Sequence, residues 1–224
     1  YLRNAGLPNF KRLPDLFKNG NPTNSGTQLF SLFQRLKDDF NGDMFGGNLT
    51  TERNLIQSSH WQVLADWLTG TDVESGQLAF IDYDFRYIPI ETISAVYEHF
   101  LNPIEKSNQG AYYTPRVLAD IVLDQAVGTR SEDSLLGGRY LDPACGSGIF
   151  LVGMFLRLAE AWNRTQIDAD CESRFVALRD ILVNHLCGVD KSSTACRVAA
   201  FSLYLALLDQ LNPPDLQILR SKGH

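Results

Sequence analysis

Residues 139–152 constrain the fold of this chain more than any other stretch, because three kinds of local structure follow one another there. The segment reads Arg-Tyr-Leu-Asp-Pro-Ala-Cys-Gly-Ser-Gly-Ile-Phe-Leu-Val, which is a short apolar strand, an acidic residue, a glycine-rich bend and an apolar helix. Gly146 and Gly148 allow a tight turn and a close approach to a ligand, and the helix presents its unpaired amides to the same place. This order of elements predicts a small-molecule site.

Asp142 and Leu151 indicate which kind of ligand the bend accepts. A carboxylate at the exit of a strand suits a cationic or hydroxyl-bearing cofactor and repels a pyrophosphate. Nicotinamide and flavin dinucleotide folds need a third small residue three positions after the second glycine, so that helix and strand pack closely, and Leu151 stands there instead. The Gly-Ser-Gly bend taken alone is also compatible with an ordinary strand-to-helix turn.

The composition is that of a folding chain with room for one large domain or two modest ones, since 44% of its 224 residues are apolar. No stretch approaches the roughly 20 apolar residues of a membrane-spanning helix, and no basic leader opens the chain. The four cysteines lack a paired metal-ligand spacing and are expected as reduced thiols in a cytoplasmic protein. The net charge of −6 argues against a large nucleic-acid surface on these residues, because phosphate binding depends on clustered Lys and Arg.

Apolar residues at helical spacing predict a helical N-terminal domain over residues 1–105. The clearest helical faces lie in 27–40, 52–69 and 90–101, whereas 20–26 is rich in Gly, Pro, Asn and Ser and is predicted as loop. The aromatic and aliphatic stripes of these helices are expected to form the core of the domain.

A different architecture is predicted for residues 106–224, after a polar, proline-interrupted linker around 102–110. Thr114 is expected to cap a helix that holds Pro115 in its first turn. Strands and helices then alternate, and the sequence places them at 139–142, 147–162, 174–184, 186–189 and 193–210. The alternation predicts an α/β fold with a parallel, doubly wound sheet.

Asp142 and Asp190 each follow one of the predicted strands, so both fall where such sheets bind ligands, beyond the carboxyl ends of the strands. Asp190 is well placed to accept two hydrogen bonds from a ribose diol, and Lys191 beside it can border an adenine ring. Taken alone, Asp190 is equally suited to cap the following helix. The segment 163–185 must be an insertion, because Asp190 lies farther from Gly148 than the roughly 20 residues of a minimal nucleotide-binding unit.

Two strings of the chain carry a resemblance to a known family. The string Asp-Pro-Ala-Cys-Gly-Ser-Gly at 142–148, followed by Phe150, resembles motif I of the amino-methylating DNA methyltransferases, which bind S-adenosylmethionine. The string Gly-Ala-Tyr-Tyr-Thr-Pro at 110–115 resembles motif X of the γ-ordered adenine methyltransferases, which closes over the cofactor. The resemblance implies a partial Rossmann-like, S-adenosylmethionine-dependent methyltransferase fold, preceded by a helical domain. It implies that the cofactor is bound by Tyr112, Thr114, Pro115, Asp142, Ala144, Cys145, Gly146, Gly148, Asp190 and Lys191.

The resemblance extends into the N-terminal half. Segments 40–45 and 84–100 resemble those that precede motif X in the methyltransferases of type IIG restriction–modification systems, and more distantly the modification subunits of type I systems. The similarity is dense over 84–209 and thin before residue 40. The family more often carries an aliphatic residue, an acidic or amide residue and a proline where this chain has Lys-Ser-Ser at 191–193, so the contact on the adenine side stays open.

Asn-Pro-Pro-Asp at 212–215 is not interpreted as the Asn/Asp-Pro-Pro-aromatic motif with which this family holds a flipped-out adenine. Its fourth residue has no aromatic face, and the preceding 195–211 is predicted as a helix where a strand is required. The separation from Asp190 is also too short for an intervening strand and helix. Two prolines just past a helix end are a stop signal. The sequence therefore predicts the cofactor half of an active site, without a catalytic residue or a metal ligand.

These features together predict the S-adenosylmethionine-binding part of a site-specific adenine-N6 DNA methyltransferase, with motifs X, I and II in the first half of a methyltransferase domain at 106–224. The resemblance implies double-stranded DNA as a partner of the full-length protein, target-recognition and nuclease domains in the same polypeptide, and no membrane. Because the chain starts at Tyr1 and stops in Ser-Lys-Gly-His, we expect a fragment that is inactive by itself.

Three alternatives stay open on the sequence. The first is a noncatalytic DNA- or subunit-binding module with a degenerate cofactor fold. The second is a methyltransferase that acts on an amide or amine of protein or RNA. The third and most remote is a nicotinamide enzyme, which Leu151 disfavours.

Overall fold

The computed structural model describes residues 22–40, 49–69 and 114–212, together with Phe17, Thr92, Asp215, Ile218 and Leu219. Contacts divide the chain into two units, Tyr1–Ile88 and Pro89–His224. The predicted boundary between residues 105 and 106 and the predicted linker lie outside the described residues, and of the predicted helix 90–101 only the helical Thr92 is described. In the part of the chain that is described, no helix combines the length and the apolar character needed to cross a membrane.

The described part of the first unit is helical. Its helices are α1 (Pro22–Phe40), α2 (Leu49–Leu55) and α3 (Ser58–Thr69). Helix α1 packs against the other two. The buried side chains between them include Leu29 and Phe30 of α1 and Trp61 and Ala65 of α3, with Phe17 beside them. Phe30 meets Trp61 edge-on, with ring centroids 6.0 Å apart, which is a favoured aromatic geometry.

The loop predicted at 20–26 is wrong from Pro22 onward, because α1 begins there. Proline is tolerated in a first helical turn, where its missing amide would have no partner. Gly26 is buried, and a Cβ atom on it would overlap the indole ring of Trp61. Close packing against α3 therefore accounts for a glycine inside this helix, which local sequence statistics count as a loop residue.

The single helix predicted over 52–69 is also wrong, since the chain leaves the helical conformation at Ile56 and Gln57. The amide of Ile56 donates to the carbonyl of Arg53 at 3.2 Å and closes the first helix, and the amide of Gln57 donates to Nδ1 of His60 at 3.2 Å at the start of the second. The prediction that the apolar residues of these helices are buried in the core is also wrong at two positions, because Leu55 is 74% exposed and Val63 is 70% exposed.

The second unit alternates helices and strands, as the sequence predicts. Its elements are α4 (Arg116–Val127), α5 (Glu132–Leu136), β1 (Tyr140–Asp142), α6 (Ile149–Thr165), α7 (Cys171–Asp180), a π-helical turn (Ile181–His185), β2 (Leu186–Gly188) and α8 (Ser193–Asp209). The short α5 is not predicted by periodicity. Helix α6 extends three residues past its predicted end, and an ion pair joins Arg164 of its last turn to Glu160 of the turn before.

Strands β1 and β2 form a parallel pair, in which Tyr140 lies opposite Leu186, Leu141 opposite Cys187 and Asp142 opposite Gly188. The predicted parallel arrangement is confirmed for these two strands. Because parallel strands run in one direction, the residues that follow Asp142 and Gly188 emerge at the same edge of the sheet.

Helix α6 is the centre of the second core. Phe155, Leu158 and Ala159 are fully buried, and the helix packs against α4, α5, α8 and β2. The helix that follows the glycine-rich bend is therefore held on several sides. This packing fixes where the bend can lie.

Candidate functional site

The glycine-rich bend, residues 143–148, is joined to the ends of both strands. Val189, the first residue after β2, donates its amide to the carbonyl of Asp142 and accepts at its carbonyl from the amide of Cys145, each at 2.9 Å. The ladder of the sheet thus continues into the bend, which closes with a bond of 2.8 Å from the Gly148 amide to the Cys145 carbonyl.

Asp142 has one carboxylate oxygen with a partner and one without. Its Oδ1 accepts a hydrogen bond from the amide of Ala144 at 3.1 Å. Its Oδ2 is buried and has no hydrogen-bond partner among the described residues. A buried acceptor without a donor costs about 1–3 kcal/mol, and more when it is charged. At the end of β1, the Oδ2 of Asp142 therefore keeps an acceptor that the described residues leave unused.

Asp190 binds the bend to the end of β2. Its Oδ2 accepts from the amide of Gly146 at 2.9 Å, and its Oδ1 accepts from the amide of Ser192 at 2.8 Å. Ser192 caps the following helix, α8, because its hydroxyl oxygen accepts from the Ala195 amide at 3.3 Å. The alternative role of Asp190 as the cap of this helix is thereby filled by another residue. Each carboxylate oxygen carries a second lone pair, so Asp190 retains acceptors for ligand hydroxyls.

The two glycines of the bend have the backbone conformation that favours glycine, with φ of +51° at Gly146 and +93° at Gly148. Their surroundings differ. Among the described residues, no atom would lie within 4 Å of a Cβ on Gly146, whereas a Cβ on Gly148 would lie 2.8 Å from Cβ of Ala199 in α8. Gly146 therefore leaves open space beside the bend, and Gly148 allows α6 and α8 to pack closely.

Cys145 is a buried thiol inside this site, with an exposed fraction of 5%. Burial raises the pKa of the thiol to about 12, and Cys196 and the carboxylates of Asp142 and Asp190 add to the shift. The thiolate is the reactive form of cysteine, so Cys145 is neutral and unreactive at neutral pH. Its side chain fills space in the bend.

The other sequence-predicted site residues are distributed as follows. Thr114 and Pro115 immediately precede α4, and Lys191 is exposed beside Asp190. Tyr112 lies outside the described residues. The predicted cap by Thr114 is wrong, because Pro115 occupies the cap position and no side chain of the described residues caps α4 by a hydrogen bond.

Gly188 contributes to the site region and was missed by sequence reasoning. A Cβ on Gly188 would lie 2.6 Å from Cδ1 of Leu151 and 3.0 Å from Sγ of Cys145. The close approach of strand and helix, which dinucleotide folds achieve with a small residue on the helix, is achieved here with a glycine on the strand. A glycine inside a strand is the sequence signal that could have revealed it.

The segment around Asn212 follows a helix. Helix α8 runs to Asp209, which confirms the helix predicted in front of Asn212. The amide of Asp215 donates to the carbonyl of Asn212 at 2.9 Å, so the chain turns there. Pro213 and Pro214 lie outside the described residues.

Comparison with known proteins gives one finding. A family model described as N-6 DNA Methylase matches residues 89–212, more than half of the chain. The matched region contains β1, the bend and β2, and it ends at Asn212. No curated protein and no solved structure matches the chain.

Proposed function

Because the chain belongs to the N-6 DNA methylase family, we propose that it is the S-adenosylmethionine-binding part of a site-specific DNA adenine-N6 methyltransferase. The observation that carries the proposal is the buried Oδ2 of Asp142, an acceptor without a partner in the described residues, at the strand end inside the family match. The fold that we propose for residues 106–224 is the first half of a Rossmann-like methyltransferase domain.

The residues at the bend fit S-adenosylmethionine. The unpaired oxygen of Asp142 suits an ammonium or hydroxyl donor, and Asp190 has lone pairs left for a ribose diol. The space beside Gly146 admits a ligand close to the backbone. Two carboxylates in one site favour a cofactor that carries positive charge and disfavour a pyrophosphate. The proposed site also includes Tyr112, Thr114, Pro115, Ala144, Cys145, Gly148 and Lys191.

When bound, S-adenosylmethionine supplies a methyl group on a sulfonium centre, and its in-line transfer to the exocyclic amine of adenine depends on alignment more than on an acid or a base. The chain's own residues contribute binding and orientation. Asp142 and Asp190 fix the two sides of the bend, and Cys145 stays protonated, so that it neither adds charge nor competes as a nucleophile.

We propose that the Asn-Pro-Pro-aromatic motif of the reaction lies outside these 224 residues and that the chain alone is inactive. Two observations support this. The fourth residue of the pattern that begins at Asn212 is Asp215, which has no aromatic face, and the element before Asn212 is a helix. The full enzyme would then bind double-stranded DNA and extrude its target adenine.

The wider context is also a proposal. We assign the parent protein to a restriction–modification system of the type IIG kind, with target-recognition and nuclease domains in the same polypeptide. The net charge of −6 supports the proposal that DNA is bound mainly by those other domains.

Calorimetric titration of the 224-residue chain with S-adenosylmethionine, and in parallel with NAD, tests the proposal. We expect selective binding of S-adenosylmethionine. Asp142→Asn keeps the acceptor for the Ala144 amide but removes the charge, so it should weaken binding about tenfold or more. Asp168→Asn is the matched control, because it removes the same charge from an exposed loop residue and should leave binding unchanged.

Three outcomes would contradict parts of the proposal. A preference for NAD would exclude the methyl-donor site. If Asp142→Asn and Asp168→Asn weakened cofactor binding equally, the effect would come from the change in net charge and not from a contact of Asp142. A folded chain that binds neither ligand would favour the noncatalytic module with a degenerate cofactor fold.

A further inference from the structure

Arg157 joins α6, which follows the glycine-rich bend, to α4, which follows Thr114 and Pro115. It lies on α6, and its guanidinium donates to Oδ1 of Asp124 at 2.7 Å and to Oδ1 of Asp120 at 3.2 and 3.3 Å. It also donates to the carbonyl of Asp120 at 3.3 Å and to the carbonyl of Gly153, in its own helix, at 3.1 Å. One side chain thus binds two carboxylates and a backbone carbonyl of α4.

Helices α4 and α6 approach closely at Gly153, where a larger residue would require the side chain of Leu123 to shift. A Cβ on Gly153 would lie 2.7 Å from Cδ1 of Leu123, which is itself buried in the core of the unit. Next to this close approach, the side chain of Arg157 is only 23% exposed. The side chains of Asp120 and Asp124 are 41% and 66% exposed, so the firmness of this contact comes from the number of its charge-assisted hydrogen bonds and not from burial of the ion pairs.

Each of the two helices begins at a part of the proposed site. Helix α4 follows Thr114 and Pro115 directly, and the carbonyl of Pro115 accepts from the amides of Leu118 and Ala119 at 2.9 and 3.1 Å. Helix α6 follows Gly148, whose carbonyl accepts from the amide of Val152 at 2.8 Å. A shift of α4 along or around α6 would therefore change where Thr114 and Pro115 lie relative to the bend.

We propose that Arg157 is a positioning residue, which holds Thr114 and Pro115 at a set distance from the glycine-rich bend and thereby completes the cofactor site. The inference rests on the proposed function, since it assigns Arg157 a role in cofactor affinity. Lysine cannot replace it fully, because a single ammonium lacks the planar fork that reaches two carboxylates and a carbonyl together.

The test compares Arg157→Ala with two controls in the 224-residue chain. Arg164→Ala removes a guanidinium from the same helix, whose partners are Glu132 of α5 and Glu160. Leu178→Val trims a fully buried side chain of α7 and lowers stability without touching the contacts of Arg157. The measurements are the Kd for S-adenosylmethionine by calorimetry, the unfolding temperature, and amide hydrogen exchange of peptides that cover residues 114–127.

We expect Arg157→Ala to raise the Kd about fivefold or more, the range typical of coupling between two sites. Amides of α4 should exchange about tenfold faster, since charge-assisted hydrogen bonds to α4 are lost. Arg157→Lys should recover part of both effects. Both controls should keep the wild-type Kd and the wild-type exchange of α4, even where Leu178→Val lowers the unfolding temperature as much as Arg157→Ala does.

The outcomes separate this inference from the proposed function. If the wild-type chain binds the cofactor and Arg157→Ala binds it equally well, the inference is overturned and the function stands. If the wild-type chain does not bind the cofactor, the proposed function fails for this chain, and exchange of α4 decides whether Arg157 positions the helix. Unchanged exchange in Arg157→Ala, or equal acceleration in Leu178→Val, would overturn the inference in either case.

Discussion

Asp142 and Asp190 stand at the ends of neighbouring strands, yet their carboxylates differ in what they bind. Both oxygens of Asp190 accept backbone amides, one from the bend and one from the turn before α8. One carboxylate oxygen of Asp142 accepts the Ala144 amide, and the other is buried without a donor from the described residues. At the scale of single residues, we therefore expect Asp142 to contribute chiefly to ligand binding, and Asp190 to contribute to the shape of the bend as well.

The thiol of Cys145 gives a prediction about pH. Its pKa is raised from the ordinary 9.0 to about 12, mainly by burial, so the folded state holds this proton over a pH range in which the unfolded chain loses it. The associated stability is fully present below pH 9.0, the ordinary pKa, and is lost as the pH rises toward about 12. Unfolding by urea at a series of alkaline pH values should show this loss in the wild-type chain.

Cys145→Ala is the comparison for that experiment, because alanine is small, apolar and does not titrate. The variant should lose less stability between pH 9.0 and about 12 than the wild-type chain. Tyr204, whose pKa burial also raises to about 12, is present in both proteins and cancels in the difference. If the free energy of unfolding changed equally with pH in the two proteins, Cys145 would not titrate abnormally.

At the scale of elements, the approach of α6 to β2 depends on Gly188. A methyl group there would meet Cδ1 of Leu151 at 2.6 Å, and overpacking of this kind destabilises a core by about 1–3 kcal/mol. We therefore expect Gly188→Ala to lower the free energy of unfolding by an amount in that range, as measured by urea denaturation.

Leu151→Val tests the cause of that loss, because valine lacks the δ carbon involved in the contact. The double variant Gly188→Ala, Leu151→Val should be more stable than the sum of the two single changes implies. If the losses in the free energy of unfolding were additive, the extra methyl group would disturb the strand itself and not the contact with Leu151.

At the scale of the whole molecule, the two units have separate cores, one around Trp61 and the other around Phe155. A ligand that binds only the folded form of one unit stabilises that unit, by about 2.7 kcal/mol at a concentration of one hundred Kd. We expect S-adenosylmethionine to slow amide exchange in residues 114–212 and to leave 22–69 unchanged. NAD at the same concentration is the control. Equal protection of both stretches would mean that the chain unfolds as one cooperative body.

Much of the second unit was predictable from local sequence. The strands at 140–142 and 186–188, the helix through Phe155 and the positions of Asp142 and Asp190 follow from apolar runs, turn residues and the alternation of elements. In the first unit the same reasoning misplaced the start of α1 and missed the break at Ile56, because packing against Trp61 and the ring of His60 outweighed local preference.

The sequence by itself determined the two strands, the helix after the glycine-rich bend and the positions of the acidic residues at the strand ends, since these depend on neighbouring residues and their spacing. Only the tertiary structure decided which groups meet across the fold. The bond from the Gly146 amide to Asp190, the packing of Gly148 on Ala199 and the grip of Arg157 on α4 join residues far apart along the chain. No local pattern encodes such contacts, because they arise when helices and strands pack and the distances between their side chains become fixed.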